Sequence, residues 1–300
     1  MNIIITSSII IPFHGKCSVL EQTLNSLILQ SQKDFEVLLI DNYSPENAKE
    51  LALKYADRLN LFYFRIENQG RSIARNFGVK HAQSNRLIFV DSDMIVEPAF
   101  VEKHLMFHTN NESSIFIGSG YRNPKDVKSI FDKYVIHLED YWKSITIESG
   151  EVNFKNFIFT ACNMSILKKD FFEIAGFDEN LNDSEDFDFG IRAMEKGIKI
   201  FYDRNVIAWH NDWPNIKELI YRHCQYTKAK KKLTEIHPEY LKLFPVLQAA
   251  KDNKLKSLLL QIAKKTICKM VISEFFLFKI LPLKLKFYFY KLTIAAYSKT

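Results

Sequence analysis

Short, unbroken apolar runs alternate along the first hundred residues with stretches in which large apolar residues recur every three or four positions. The runs at 8–12, 35–41, 61–66 and 87–90 predict strands, and the last, Leu87-Ile88-Phe89-Val90, has no polar break and reads as buried on both faces. Between them, 19–29, 46–56 and 72–82 have the period of amphipathic helices. Strand and helix in strict alternation predict an α/β fold with a mostly parallel central sheet and helices on both faces. Further on, the pattern predicts a helix over 98–107 and strands at 114–118, 157–161 and 198–202, with a helix over about 184–196 before the last. The stretch 121–151 mixes aromatic, charged and polar residues without a clean period, and is read as a lid or an acceptor-facing insertion.

The chain has 300 residues, of which 47% are hydrophobic, enough to fill a large core and too many for a disordered protein. Cys17, Cys162, Cys224 and Cys268 are far apart and form no Cys-x-x-Cys pair, which argues against a zinc site and a disulfide framework and fits a reducing, cytoplasmic setting. The apolar start, Met1-Asn2-Ile3-Ile4-Ile5, lacks a basic region before it and reads as strand rather than signal peptide. Net charge is +6, unevenly placed: from 215 onward 18 Lys and Arg face 5 Asp and Glu, a net +13, leaving −7 on the first 214 residues. That shift sets the expected boundary between a catalytic domain at 1–213 and a basic, mainly helical region at 214–300.

Candidate chemistry gathers where the predicted strands end. Asp91-Ser92-Asp93 follows the fourth strand directly, at the edge where open α/β sheets bind ligands, and two carboxylates one residue apart suit a hard divalent cation. Asp41 ends the second strand and can accept from a base N–H or a ribose hydroxyl. After the third strand, the run from Asn68 to Gly78 opens a helix. Gly70 there permits close backbone approach, and Arg71 and Arg75 lie four apart on one face, a plausible diphosphate-facing element. Glu185, Asp186 and Asp188 open another helix, where one carboxylate can act as general base; His210 closes a late strand and can join Asp93 around a metal. Each feature alone has an ordinary alternative: a solvated turn, a helix cap, an exposed arginine pair, an acid-rich first turn, a hydrogen-bonded histidine.

Taken in order, Ser8-Ile9-Ile10-Ile11-Pro12-Phe13-His14, Leu39-Ile40-Asp41-Asn42-Tyr43-Ser44, Asn-x-Gly-x-x-x-Ala-Arg-Asn-x-Gly at 68–78, Asp91-Ser92-Asp93, Gly176-Phe177-Asp178-Glu179 and Glu185-Asp186 resemble the family 2 glycosyltransferases of the GT-A fold, over 8 to about 210. The nearest branch in motif is that of galactosyltransferase and chondroitin-polymerase domains. The resemblance implies an inverting transfer from a nucleotide-sugar, most often a UDP-sugar, to a hydroxyl of a glycan or lipid-linked saccharide. It implies that Pro12, Phe13 and Asp41 hold the nucleoside, that Asn68, Gly70 and Arg75 shape the donor pocket, and that Asp91 contacts ribose or sugar, with Ser92 between the two aspartates. Asp93 and His210 are implied to bind Mn2+ or Mg2+, Asp186 to be the base, and Glu185 to recognise a hydroxyl. Two departures touch base recognition: Phe13-His14-Gly15 replaces the usual Thr-Tyr-Asn, and Asn42 replaces a frequent second acid. The rivals are a sugar-nucleotide pyrophosphorylase, which needs a glycine-rich basic loop where Pro12-Phe13-His14-Gly15-Lys16 stands, and a non-catalytic binding or scaffolding protein.

The basic region alternates lysine with large apolar residues, as in Leu283-Lys284-Leu285-Lys286-Phe287-Tyr288-Phe289-Tyr290, and charge interrupts it too often for a bilayer span. An interfacial helix on an anionic membrane is expected there, peripheral on the cytoplasmic face; the alternative is that these residues cover the catalytic domain or a homodimer partner. No nucleic-acid module accompanies the charge, so no nucleic-acid partner is expected.

Overall fold

The computed structural model describes residues 5–67, 70–156, 158–181, 183–239, 271, 278 and 280–298. The chain forms two compact units, Met1–Asn123 with Ile145–Asp212, and Pro124–Ser144 with Trp213–Thr300.

In the first unit the four expected strands form as β1 (Ser7–Phe13), β2 (Phe35–Asn42), β3 (Asn60–Ile66) and β4 (Arg86–Val90), with α1 (Cys17–Ile28), α2 (Lys49–Ala56) and α3 (Arg71–His81) between them. Then come β5 (Met94–Val96), α4 (Phe100–Asn110), β6 (Ser114–Arg122), β7 (Ser149–Val152), β8 (Asn163–Leu167), α6 (Lys168–Glu173), α7 (Glu185–Glu195) and β9 (Lys199–His210), with α5 (Ile130–Ile145) between β6 and β7. Side chains alternate across the sheet as a period of two requires. Ile9, Ile11, Val37, Leu39, Ile88 and Val90 pack under α1, α2 and α4, while Ile10, Leu38, Ile40, Leu87 and Phe89 pack under α3, α6 and α7. Helices therefore cover both faces.

Strand order is β3-β2-β1-β4-β8-β6-β9-β5, with β7 beside β9. The first four strands are parallel throughout. The second half is mixed: β6 and β9 are parallel, but β8 runs antiparallel to both β4 and β6, and β5 and β7 antiparallel to β9. The order reverses at β1, between β2 and β4, and opens the crevice in which such sheets bind ligands.

The strand expected at 157–161 lies instead at Asn163–Leu167. Its alternation is masked because Asn163 and Ser165 face a polar pair within the protein rather than solvent. Asn163 Nδ2 donates to Ser119 O at 2.9 Å and Val206 O at 2.8 Å, so its Oδ1 must accept from His104 Nε2, 2.9 Å away. That tautomer leaves His104 Nδ1 to accept from Ser165 Oγ at 2.8 Å, and Ser165 Oγ accepts in turn from His108 Nε2 at 2.9 Å. Burial pushes His104 down to about 3 and His108 to about 4. The same amide of Asn163 fastens a register shift between Gly118 and Ser119. A Cβ at Gly118 would lie 2.2 Å from Val206 O, so no other residue fits there.

In the second unit the stretch read as a lid is largely the regular helix α5, where Phe131 and Tyr134 make a stripe hidden in the sequence by the exposed Tyr141 and Trp142. It packs on the last described helix, α9 (Leu283–Ser298). Between them in sequence, α8 (Ile216–Ile236) starts with a capping box: Asn215 accepts from the Lys217 and Glu218 backbone, and Glu218 accepts from Asn215 N.

Candidate active site

Three strand ends bring the first cluster together. Met94 pairs with His210 across β5 and β9, Arg122 pairs with His210 across β6 and β9, and Asn211 N donates to Asp93 O at 2.7 Å. Asp93 and His210, separated by 117 residues, are thereby held with Oδ2 and Nδ1 3.2 Å apart. Asp212 Oδ1 lies 3.7 Å from the same Nδ1. Ligand atoms of Asp93, His210 and Asp212 all fall within 4.8 Å of one another. Asp212 is not among the residues singled out from sequence; an acid two residues beyond the histidine, just past the strand, is the signal that marks it. Arg122 holds it in place, with Nε donating to Asp212 O at 2.7 Å and Nη2 to Oδ1 at 2.9 Å. Burial by itself would lower the His210 imidazole, but the Asp93 carboxylate, by charge and hydrogen bond, raises it well above its ordinary value. A proton on His210 answers the same negative charge that a divalent cation would. The Cys162 side chain hydrogen-bonds the same ring, and its sulfur also accepts from Thr160 Oγ1 at 3.0 Å.

Helix α3 builds the second cluster. Gly70 caps it at φ 97°, ψ 167°, a left-handed-side conformation that only glycine takes without strain. Behind that cap, Ser72 Oγ donates to Leu181 O at 2.9 Å, and the Asn76 amide grips Phe177 twice: Nδ2 donates to its carbonyl at 2.9 Å and Oδ1 accepts from its N–H at 3.0 Å. The Gly176-Phe177-Asp178-Glu179 turn thus hangs on α3, with Phe177 in a ring cluster with Phe89, Phe171 and Phe189. Arg75, expected in a diphosphate-facing role, is instead 2% exposed and bridges two carboxylates, donating to Glu185 Oε1 at 2.7 Å and Asp91 Oδ1 at 2.8 Å. Arg71 is the more open of the pair, 2.7 Å from Asp183 and 3.6 Å from Glu185.

The bridge sorts the acids into roles. Burial would raise the Asp91 carboxyl, but Arg75 and Arg71 outweigh it and hold it below the ordinary range, so Asp91 is ionised. Asp186 goes the other way: burial and the adjoining Glu185 charge push it up to about 7, against the opposing pull of Arg75 and Arg71. Its Oδ1 accepts from Phe187 N at 2.9 Å. Glu185 is 2% exposed, and its Oε2 has no hydrogen-bond partner among the described residues. Asp91, held ionised, and Asp186, poised near neutrality, can divide binding from proton transfer.

The nucleoside-binding expectations fare differently. Asp41 is fully buried and already accepts from Ser44 N, Tyr63 Oη and Arg65 Nη1, each at 2.7 Å, so it anchors its neighbours rather than offering a free carboxylate. Arg65 and the exposed Tyr43, whose ring lies 4.9 Å from the guanidinium carbon, face outward at that edge. Pro12 is buried in β1, and the Phe13 ring belongs to the core, 2% exposed. Ser92 is fixed by its carbonyl, which accepts from Thr23 Oγ1 at 2.8 Å. Asn68 lies outside the described residues.

A mixed α/β sheet with helices on both faces, and with acids and an imidazole at its strand ends, is the arrangement of the GT-A fold. The sequence model of glycosyl transferase family 2 matches residues 8–174, more than half of the chain, and the protein belongs to that family. It is similar to the validoxylamine A glucosyltransferase of Streptomyces hygroscopicus subsp. jinggangensis, 25% identical over 236 residues, covering 69% of this chain and 55% of that one. It is also similar to the chondroitin synthase of Escherichia coli, 25% identical over 238 residues, covering 69% of this chain and 35% of that protein. The first of these relatives is matched over only about half its length. In fold it is similar to the mannosyltransferase PcManGT of Pyrobaculum calidifontis, solved with GDP-Man and Mn2+ (TM-score 0.64, 13% identity, 98% of this chain and 86% of that one). S. aureus TarS in complex with UDP is a further neighbour (TM-score 0.55, 17% identity, 98% and 89%).

Proposed function

We propose that the protein is an inverting, divalent-cation-dependent glycosyltransferase that moves a sugar from a nucleotide donor, a UDP-sugar by our reading, to a hydroxyl of a glycan or lipid-linked saccharide. The observation that carries the proposal is the convergence of Asp93, His210 and Asp212 within 4.8 Å at the sheet edge. Two carboxylate oxygens and one imidazole nitrogen form a donor set for Mn2+ or Mg2+, and the nitrogen favours Mn2+. A cation bound there neutralises charge on the leaving diphosphate. Asp186 takes the proton of the acceptor hydroxyl as that oxygen bonds to the anomeric carbon and the bond to the diphosphate breaks on the opposite face. Arg75 fixes Glu185 and Asp91 in place and holds Asp91 ionised, and the buried, unpartnered Oε2 of Glu185 is the acceptor for a sugar hydroxyl. Asp91 meets the ribose or the donor sugar from the strand end. The ligands of the fold neighbours, UDP for TarS and GDP-Man with Mn2+ for PcManGT, support a nucleotide-sugar donor. A lipid-linked acceptor would bring the enzyme to the cytoplasmic face of a membrane, where the excess of lysine beyond residue 214 suits anionic lipid.

The test is nucleotide release from a panel of UDP- and GDP-sugars with Mn2+, with and without EDTA. Release that depends on the cation is expected. Release that requires pyrophosphate would move the protein to the pyrophosphorylases, and silence across the panel would leave only a binding role.

A further inference from the structure

Helix α9 is apolar on more of its circumference than packing among the described residues of its unit uses. Its inner side is filled: Tyr290 meets Phe131 and Tyr134 at ring distances of 4.9 and 5.2 Å, Phe287 meets Tyr134 at 5.4 Å, and Ile294 is 5% exposed. A helix ending its contacts there carries a polar outer side in an ordinary water-soluble domain. Here Leu285 and Tyr288 are 44% and 55% exposed, and Ile280 just before the helix is 65% exposed; Leu283, 47% exposed, continues the inner stripe of Phe287, Tyr290 and Ile294. Between and beside them stand the exposed Lys284 and Lys291, with 284, 288 and 291 on one stripe. The helix contains no Asp or Glu.

We infer that this outer face of α9 seats the protein on an anionic lipid bilayer, with Ile280, Leu285 and Tyr288 entering the headgroup boundary and Lys284 and Lys291 pairing with lipid phosphate. The mixture of aliphatic, tyrosine and lysine side chains on one exposed surface is the chemistry of an interfacial helix. No described helix is long and apolar enough to cross a membrane, so the contact is in the plane of the surface. A two-fold pairing of this face with itself is disfavoured, since it would bring lysine-bearing surfaces together with no acid on the helix to answer them. The docking face stands independently of the transfer reaction, since none of its residues belongs to the site above.

The experiment is flotation of the full chain with phosphatidylcholine vesicles, with and without phosphatidylglycerol. Binding to the anionic vesicles is expected, weakened by salt. Lys284→Glu with Lys291→Glu lowers the partition coefficient by at least roughly tenfold. Leu285→Ser with Tyr288→Ser gives a similar loss. Both double variants keep the parent's melting temperature and its nucleotide release in vesicle-free buffer. The inference is overturned if the parent fails to float with anionic vesicles, or if flotation is indifferent to both pairs of substitutions. It is equally overturned if the Leu285→Ser, Tyr288→Ser pair turns a dimer into a monomer on sedimentation without touching flotation.

Discussion

Asp186 should set the acid limb of the pH–rate profile, because its carboxyl is lifted from an ordinary 3.8 to about 7. A general base works only after losing its proton. The rate is therefore expected to be flat above pH 7 and to fall roughly tenfold per unit below it. Saturating Mn2+ removes the proton of His210 from the picture, since a bound cation excludes it. Under that condition Asp186→Asn lowers turnover by at least roughly 10²-fold and abolishes the limb, while leaving donor affinity nearly unchanged. Two neighbours supply a sharper check, because they act with opposite sign. Glu185 raises the Asp186 carboxyl and Arg71 lowers it, so Glu185→Gln moves the limb to lower pH and Arg71→Met moves it higher. The assay is nucleotide release with acceptor present, from pH 5 to 9, in the parent and three variants. A limb that stays in place in both neighbour variants, or an Asp186→Asn enzyme within a few-fold of the parent, would refute the assignment.

Three further outcomes follow from the geometry. Arg122→Gln, which removes the guanidinium that positions the Asp212 carboxylate, is expected to weaken Mn2+ binding roughly 10–100-fold, and Asp212→Asn at least as much, read from the electron paramagnetic resonance of free Mn2+. His104 and His108 stay neutral in the fold down to about 3 and 4, whereas the unfolded chain takes up those protons near 6.5. Their contribution to stability is thus complete above pH 6.5 and is lost as pH falls toward 4, at up to roughly 1.4 kcal/mol per unit for each histidine; denaturant titrations should show it, with the slope about halved in His108→Gln. Gly118→Ala places a Cβ 2.2 Å from Val206 O and 2.3 Å from Asn163 Nδ2, and should cost at least about 2 kcal/mol of unfolding free energy.

The parallel half of the sheet was legible because β1, β2 and β4 are buried on both faces and so spell continuous apolar runs. The second half was harder, since β8 interleaves Asn163 and Ser165 with Met164 and Ile166, and those polar residues are matched by histidines on a different element. Asp93, His210, Glu185 and Asp186 stood out as candidates by residue type, but each had an ordinary alternative, and the resemblance to family 2 glycosyltransferases supplied their expected roles. Arg75 could not be placed from sequence, because its partners Glu185 and Asp91 lie 110 and 16 residues away and its burial is a property of the fold. Asp212 falls just past the last residue to which the family likeness extends.

The long reach of Arg75 has a consequence for biogenesis. Its guanidinium leaves the ribosome well before Glu185, 110 positions later, so an incomplete chain holds an arginine destined for the interior with only part of its counter-charge. Burying it in that state is unfavourable, and the pocket around α3 is expected to stay open until α7 arrives. A truncated product would then leave the pocket around α3 unformed, so the ion bridge ties the completion of that pocket to the arrival of α7.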